Sequence, residues 1–105
     1  MSDWRRYEIL LPLKFNDGRA VPRELLSDTL LKLEERFGAV SCETQVIQGS
    51  WHHGQERFRD DLVRAFVDVE DRPQNREFFR TLKEELKSKF QQLDVWIVTY
   101  KVDIV

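Results

Sequence analysis

Residues 40–69 read VSCETQVIQGSWHHGQERFRDDLVRAFVDV, and the strand pairing predicted within them sets the topology of the chain. Gly54-Gln55 lies near its middle, and a glycine at the first position of a two-residue loop is typical of a type II′ turn between antiparallel strands. The two strands then pair residues whose numbers sum to 109, which places Val40, Cys42, Thr44 and Val46 opposite Val69, Val67, Ala65 and Val63. This register collects small apolar side chains on one face, and a slip by one residue would separate them.

A strand and a helix are predicted on the amino-terminal side of this hairpin. Residues 7–15 place apolar side chains at every second position and end at the turn signal Asn16-Asp17-Gly18, which predicts a first strand. Pro22 can open a helix, leucine and phenylalanine then recur at helical spacing, and Gly38 supplies a stop. We therefore expect the first helix between these two residues.

A helix and a strand also follow the hairpin. An apolar face predicts a helix that begins around residues 71–73 and ends near residue 91, with Phe79, Leu82, Leu86 and Phe90 inside. Residues 93–105 predict a last strand. The order β-α-β-β-α-β is the split β-α-β arrangement. We therefore predict one α+β domain of the ferredoxin-like type over residues 1–105, with a four-stranded antiparallel sheet and two helices on one face.

Composition limits the partners and the compartment. The 105 residues are 41% hydrophobic and 34% charged, which favours a folded domain. The net charge of −2 lacks the positive field of proteins whose main partner is nucleic acid, so we do not expect one. No stretch of about 18 apolar residues occurs, so we expect no membrane span. The single Cys42 suits a reducing compartment, and we expect a cytoplasmic protein.

The sheet face that the two helices leave uncovered is the main candidate site. Strand alternation places on it Glu43, Gln45, Ile47 and Trp51 from strand two, Phe58, Leu62, Arg64 and Phe66 from strand three, and Leu10 and Pro12 from strand one. On strand four, the set that includes Trp96, Val98 and Tyr100 is predicted to face the helices. This leaves Val95 and Ile97 on the uncovered face. Cys42 is expected to be a small core residue.

An apolar face of this kind predicts a partner or a ligand. Burial in a homodimer is the first interpretation, because closed symmetric pairs are the commonest assemblies. A small-molecule pocket between two such sheets is the alternative, with Glu43, Gln45 and Arg64 as its polar groups. The candidate residues are therefore Glu43, Gln45, Trp51, His52, His53, Arg64, Phe66 and Ile97.

His52 and His53 at the hairpin tip are the other candidates for chemistry. Histidine acts as an acid, a base or a metal ligand near neutral pH. Adjacent strand residues point to opposite faces, however, and the nearby Glu56, Asp60 and Asp61 match no metal-ligand spacing. We therefore predict no metal, no cofactor and no catalytic constellation.

Helix two carries a basic stripe made of Arg72, Arg76, Arg80, Lys83 and Lys87. An acidic partner such as RNA could bind such a stripe. Glutamates at helical spacing from these residues explain it equally well as an ion-paired, solvated flank.

Residues 67–79, VDVEDRPQNREFF, and residues 91–100, QQLDVWIVTY, carry a resemblance. Over nearly the whole chain the sequence resembles a group of short bacterial proteins to which no activity is assigned. Its architecture is similar to that of the dimeric α+β barrel proteins. That resemblance implies either a cofactor-free monooxygenase or isomerase, or a ligand-binding protein, since fold does not fix function.

These observations lead to three functional hypotheses. The leading one is a non-enzymatic homodimeric binding module, because the sequence supplies an apolar face and no catalytic constellation. The alternatives are a small-molecule enzyme of the cofactor-free dimeric α+β barrel type, and RNA binding through the basic stripe of helix two.

Overall fold

Four strands and two helices follow one another in the predicted order. The computed structural model describes residues 3–105. Its elements are β1 Trp4–Pro12, α1 Arg23–Phe37, β2 Ser41–His53, β3 Glu56–Glu70, α2 Pro73–Lys89 and β4 Ile97–Val102. The strands form one antiparallel sheet in the order β2-β3-β1-β4. This confirms the ferredoxin-like α+β fold. Within the described residues no helix is long and apolar enough to cross a membrane.

The two central strands supply the core beneath the helices. On β1 the alternation predicted from the sequence buries Tyr7, Ile9 and Leu11. Every second residue of β3 is buried on the same side, and these are Val63, Ala65, Val67 and Val69. The ring of Tyr7 stacks on Phe79 of α2, with centroids 3.9 Å apart. Removing these side chains from water is the main favourable term in folding.

The hairpin register agrees with the prediction near the turn and departs from it near the core. Pairing from Ile47↔Leu62 to His53↔Glu56 follows the predicted sum, and Gly54 has the positive φ of 62° that the turn requires. Farther from the turn, Cys42 pairs with Ala65 instead of Val67. Residues 44–46 form an irregularity that inserts two extra residues into β2. Because the shift is by two residues, every side chain keeps its face.

The predicted burial of the small apolar face of β2 is wrong. Cys42, Thr44 and Val46 are all exposed. β2 is an edge strand, and the two helices cover the central strands instead. Cys42 is therefore not a core residue.

The two faces of β4 are the reverse of those predicted. Ile97 pairs with Ile9, whose side chain is fully buried, and Ile97 itself packs against the core. The prediction that Ile97 lies on the uncovered face is therefore wrong. Val95 is only 2% exposed, whereas Trp96 is 61% exposed and lies on the uncovered face. The set that contains Ile97 also contains Thr99 and Lys101, so hydrophobic periodicity favoured the more apolar set, with Trp96, Val98 and Tyr100, for the helix side. That more apolar set lies on the uncovered face instead.

We expect Val67→Asp and Phe66→Asp to have opposite outcomes, although the two residues are neighbours on β3. A carboxylate at Val67 would be buried without a partner and should destabilise the domain by at least about 3 kcal/mol. At Phe66 it would remain half exposed beside the Arg6 guanidinium, which lies 4.6 Å from the Phe66 ring. Thermal unfolding followed by circular dichroism measures both variants. A folded Val67→Asp with an unfolded Phe66→Asp would show that the assignment of faces is wrong.

Candidate functional site

The uncovered face of the sheet, called the open face below, carries a row of polar side chains across all four strands. The Tyr100 hydroxyl of β4 donates a hydrogen bond of 2.6 Å to Glu8 of β1. Arg64 of β3 lies 3.6 Å from the other oxygen of Glu8 and donates to Glu43 of β2 at 2.8 and 3.0 Å. We call Tyr100, Glu8, Arg64 and Glu43 the charged row.

A second ion pair lies beside the charged row. Arg6 donates two hydrogen bonds to Asp68, at 2.7 and 3.0 Å, in the bidentate geometry that suits a guanidinium and a carboxylate. The same guanidinium covers the ring of Phe66. This half of the open face is therefore not the continuous apolar surface that the sequence predicted.

Hydrogen bonding within the charged row favours the protonated form of its donors. The bond to Glu8 is the main cause of a raised pKa for Tyr100, with burial as the next cause. The bonds to Glu43 raise the pKa of Arg64 above its ordinary value. At neutral pH the phenol is therefore neutral and the guanidinium charged. The row orders the sheet face and offers a ligand no free base or nucleophile.

A pocket of about 550 Å³ occupies the other half of the open face. Its volume falls within the range of about 300–1,000 Å³ that is usual for small-molecule sites. Leu10, Pro12 and Leu62 come from the central strands. The rest of the lining comes from the hairpin and from the segment that follows α2, and consists of Gly49, Ser50, Trp51, His53, Asp60, Gln92, Leu93, Asp94, Val95 and Trp96. We call this cavity the open-face pocket.

The hairpin wall exists because β2 and β3 continue beyond the end of β1. Pro12 is the last residue of β1 and pairs with Leu62, so residues 48–61 form a two-stranded arm. The ring of Trp51 stacks on Phe58, with centroids 4.5 Å apart. Its indole N–H donates a hydrogen bond of 2.6 Å to Asp60 Oδ2. Two contacts therefore fix the Trp51 ring on the pocket side of the arm.

The second wall is set by the way α2 ends. Gln91 adopts a left-handed φ of 54°, and the Gln92 N–H donates to the Lys87 carbonyl at 2.9 Å. This is the Schellman arrangement, which ends the helix and turns the chain. The chain then returns to the sheet, where the Leu10 N–H donates to the Trp96 carbonyl at 3.1 Å. That bond holds Trp96 beside β1.

The charges that line the open-face pocket are negative. The described lining residues include Asp60 and Asp94 and contain no lysine or arginine. Asp94 is paired with Lys83 at 3.2 Å and accepts a hydrogen bond from the Val95 N–H. Phosphate groups are normally recognised by arginine or lysine. The lining therefore suits a neutral or cationic ligand better than a phosphate.

The structure separates the residues that the sequence grouped as one site. Trp51 and His53 line the pocket. Glu43 and Arg64 belong to the charged row, and Phe66 lies under Arg6 beside it.

The remaining candidates lie away from the open-face pocket. Gln45 is exposed in the irregular segment of β2, and His52 is exposed on the opposite face of the hairpin, where it pairs with Arg57. Ile97 packs against the core.

The pocket residues that the sequence did not predict include Asp60, Asp94 and Trp96. In the sequence, Asp60 is a candidate only for metal binding, Asp94 belongs to no candidate group, and Trp96 is predicted to face the helices. The alternation of Trp96, Val98 and Tyr100 was a signal that could have placed Trp96 in the pocket. This set was predicted to face the helices, whereas it lies on the open face.

The basic stripe of α2 is largely ion-paired. Arg80 lies near Glu77, Lys87 near Glu84 and Lys83 near Asp94. Arg72 pairs with Glu70. These contacts agree with the interpretation of the stripe as a solvated flank of the helix.

Comparison with known proteins identifies a shared fold. No protein-family model matches this chain, and no curated protein matches it. The chain resembles the solved structure of a phage SAM lyase in complex with S-methyl-5′-thioadenosine, with a TM-score of 0.73 and 13% identity over 96% of this chain and 83% of that chain. It also resembles a phage SAM lyase in the apo state, with a TM-score of 0.66 and 13% identity over 94% and 81% of the two chains. Both confirm the architecture.

The prediction of a non-enzymatic binding module is contradicted by this comparison. Both solved structures named above are of a phage SAM lyase, and one of them holds S-methyl-5′-thioadenosine. The predicted alternative, a small-molecule enzyme, fits the findings better. The open-face pocket adds a cavity of suitable size on this chain.

We expect tyrosine titration to test the charged row. Tyr7→Phe leaves Tyr100 as the one remaining tyrosine, since the chain has 2. Its absorbance should then titrate above the ordinary pKa of about 10. Because a raised pKa favours the neutral phenol in the folded state, the stabilisation is present below that pH and is lost as the pH rises through the Tyr100 pKa.

Adding Glu8→Gln should lower the Tyr100 pKa, because the hydrogen-bonded negative charge is removed. Glu43→Gln is the matched control, since Glu43 contacts Arg64 and not Tyr100. Equal effects of the two substitutions would contradict the hydrogen bond between Tyr100 and Glu8.

Proposed function

We propose that this protein is a small-molecule enzyme that binds a ligand of the S-adenosylmethionine class, an adenosyl sulfonium or thioether, in the open-face pocket. The observation that carries the proposal is the lining itself, which contains two indole rings and two carboxylates and no lysine or arginine. The fold shared with a phage SAM lyase supports the same ligand class.

The two tryptophans provide surfaces for a nucleoside base. Trp51 comes from the edge strand β2, and Trp96 directly precedes the opposite edge strand β4. Stacking of a base on an aromatic side chain contributes about 1–3 kcal/mol. Indole faces also attract cations, and a sulfonium is a cation. The indole rings can therefore bind both the adenine base and the sulfonium of such a ligand.

The charge of the lining fits a nucleoside that carries no phosphate. S-Adenosylmethionine combines adenosine with a sulfonium and an amino acid group. Its ribose hydroxyls are hydrogen-bond donors, and a carboxylate such as that of Asp94 accepts such bonds. A nucleotide would bring phosphates to a lining without lysine or arginine. The lining therefore favours the sulfonium class over the nucleotides.

The reaction of a SAM lyase defines the chemistry to look for. Formation of S-methyl-5′-thioadenosine breaks the bond between sulfur and the four-carbon amino acid portion. Sulfur keeps the electron pair, and the sulfonium becomes a neutral thioether. In one route the substrate's own carboxylate attacks the carbon as the carbon–sulfur bond breaks, and a ring closes. In the other, a carboxylate of the lining accepts a proton from the neighbouring carbon as the bond breaks, and an alkene forms. Both routes balance without a second substrate and without water as a reactant, and the pocket walls include the apolar Leu10, Leu62 and Val95.

Binding and turnover test the proposal directly. We expect the wild type to bind S-adenosylmethionine and S-methyl-5′-thioadenosine in calorimetry, and to release the thioether from S-adenosylmethionine in a mass-spectrometric assay. Trp96→Ala should weaken binding by about tenfold or more, because a stacking surface is lost. Trp4→Ala is the matched control, since Trp4 is partly exposed and does not line this pocket. A wild type that binds neither compound would show that the proposal is wrong.

We propose also that the protein forms a homodimer through the β4 side of the open face. Trp96, Val98 and Tyr100 form an exposed apolar strip there, with exposed fractions of 61%, 39% and 41%. β4 is an edge strand, and unpaired strand edges commonly pair with a second chain. Closed symmetric pairs are the commonest way to cover such a surface.

Sedimentation velocity tests the homodimer. The wild type should sediment as a dimer, and Val98→Glu should give a folded monomer because a charge is placed in the strip. Val46→Glu is the matched control, since Val46 is similarly exposed on the opposite edge strand, β2. A monomeric wild type at high concentration, or an equal effect of the two substitutions, would contradict the proposed interface.

A further inference from the structure

We infer that Asp60, oriented by the indole N–H of Trp51, makes the open-face pocket selective for a cationic sulfonium over a neutral thioether of nearly the same shape. This inference rests on the proposed function and assigns its charge selectivity to one side chain. Four observations carry it.

The first observation is the place of Asp60 in the sheet. It lies on β3 opposite Gly49, and both residues line the pocket. A Cβ at position 49 would meet Leu62 Cδ1 at 3.3 Å, so a larger residue would push Leu62, itself a lining residue. The glycine also leaves Asp60 without a facing side chain. The carboxylate is therefore accessible from the cavity.

The second observation is the orientation of the carboxylate. Oδ2 accepts the hydrogen bond of 2.6 Å from the Trp51 indole. Within residues 3–105 no hydrogen bond to Oδ1 of Asp60 is formed, so that this oxygen is available to a ligand. The same indole thus fixes the carboxylate and presents its ring to the pocket.

The third observation is the balance of nearby charges. Asp94, the other acidic residue of the lining, is paired with Lys83 at 3.2 Å. Asp60 forms no salt bridge with any other residue that the structure describes. Arg57 and Arg59 alternate with it along β3 and point to the opposite face of the arm. Asp60 is therefore the carboxylate of the lining that no lysine or arginine neutralises within the described residues.

The fourth observation concerns the adjacent residue, Asp61, which provides a natural contrast. Asp61 lies on the opposite face of β3 and pairs with Lys14 at 3.5 Å. It does not line the pocket. The two carboxylates are neighbours in sequence and differ in face and in partner.

A carboxylate at this place discriminates by charge. S-Adenosylmethionine and S-adenosylhomocysteine differ by one methyl group and by the positive charge on sulfur. A charge pair in a partly solvated cleft is strong enough to change affinity by about tenfold or more. We therefore expect wild-type protein to bind S-adenosylmethionine at least about tenfold more tightly than S-adenosylhomocysteine.

Calorimetry with these two compounds tests the inference. Asp60→Asn keeps the shape and retains an oxygen that can accept the Trp51 hydrogen bond. It should reduce the affinity ratio of the two compounds by about tenfold, while the affinity for S-adenosylhomocysteine changes by less than about twofold. Asp61→Asn is the control and should leave the ratio unchanged.

A second measurement uses the unmodified protein and does not depend on folding of a variant. Raising the ionic strength to about 0.5 M should reduce the affinity ratio, because salt screens a charge contact, and should leave the neutral ligand nearly unaffected. An Asp60→Asn ratio equal to that of the wild type, with S-adenosylmethionine still bound, would overturn the inference and leave the proposed function standing. Failure of the wild type to bind either compound would overturn both.

Discussion

The pairing of β1 with both β3 and β4 determines which side chains face the helices and which face the open side of the sheet. Ile9 lies opposite Ala65 on one side and opposite Ile97 on the other. This row points toward the helices, so the neighbouring row, with Leu10 and Trp96, must point away from them. The same pairing that closes the core therefore assembles the floor and one wall of the open-face pocket.

The open face is divided into two parts with different physical characters. In one part, Arg6, Glu8 and Arg64 have their charges paired within the sheet, which leaves little for a ligand to bind. In the other part, β2 and β3 continue past the end of β1 as the two-stranded arm, and the open-face pocket lies beside this arm. Arms of two strands are marginally stable alone. The Trp51 contacts with Phe58 and Asp60 therefore stabilise the arm and shape the pocket together.

The sequence was sufficient to predict the architecture, because local signals and long-range pairing agree. The Gly54 turn, the alternation of β1 and the apolar faces of both helices lead to one arrangement. The face of β4 was predicted wrongly, because its more apolar set, with Trp96 and Val98, lies on the open face, whereas the set with Ile97 also contains Thr99 and Lys101. It is decided by the turn at Gln91 and the burial of Val95, which depend on the tertiary structure.

The candidate site was less predictable than the fold, for a related reason. Trp51 and His53 are hairpin candidates in the sequence and both line the pocket, but the other lining residues come from distant parts of the chain. Trp96 lines the pocket only because β4 turns this set of side chains toward the open face. Asp60 stands out only because the other acidic residue of the lining, Asp94, is paired with Lys83. A site built from such contacts needs the three-dimensional structure. Glu43 and Arg64 look like ligand-binding groups in the sequence, whereas in the fold they bind each other.

Nuclear magnetic resonance of the three indole N–H groups shows whether a ligand occupies the open-face pocket. Titration of the labelled protein with S-methyl-5′-thioadenosine should shift the signals of Trp51 and Trp96, which line the pocket. The signal of Trp4, outside it, should remain in place. Signals that all stay unchanged at saturating ligand, or a shift confined to Trp4, would contradict the account.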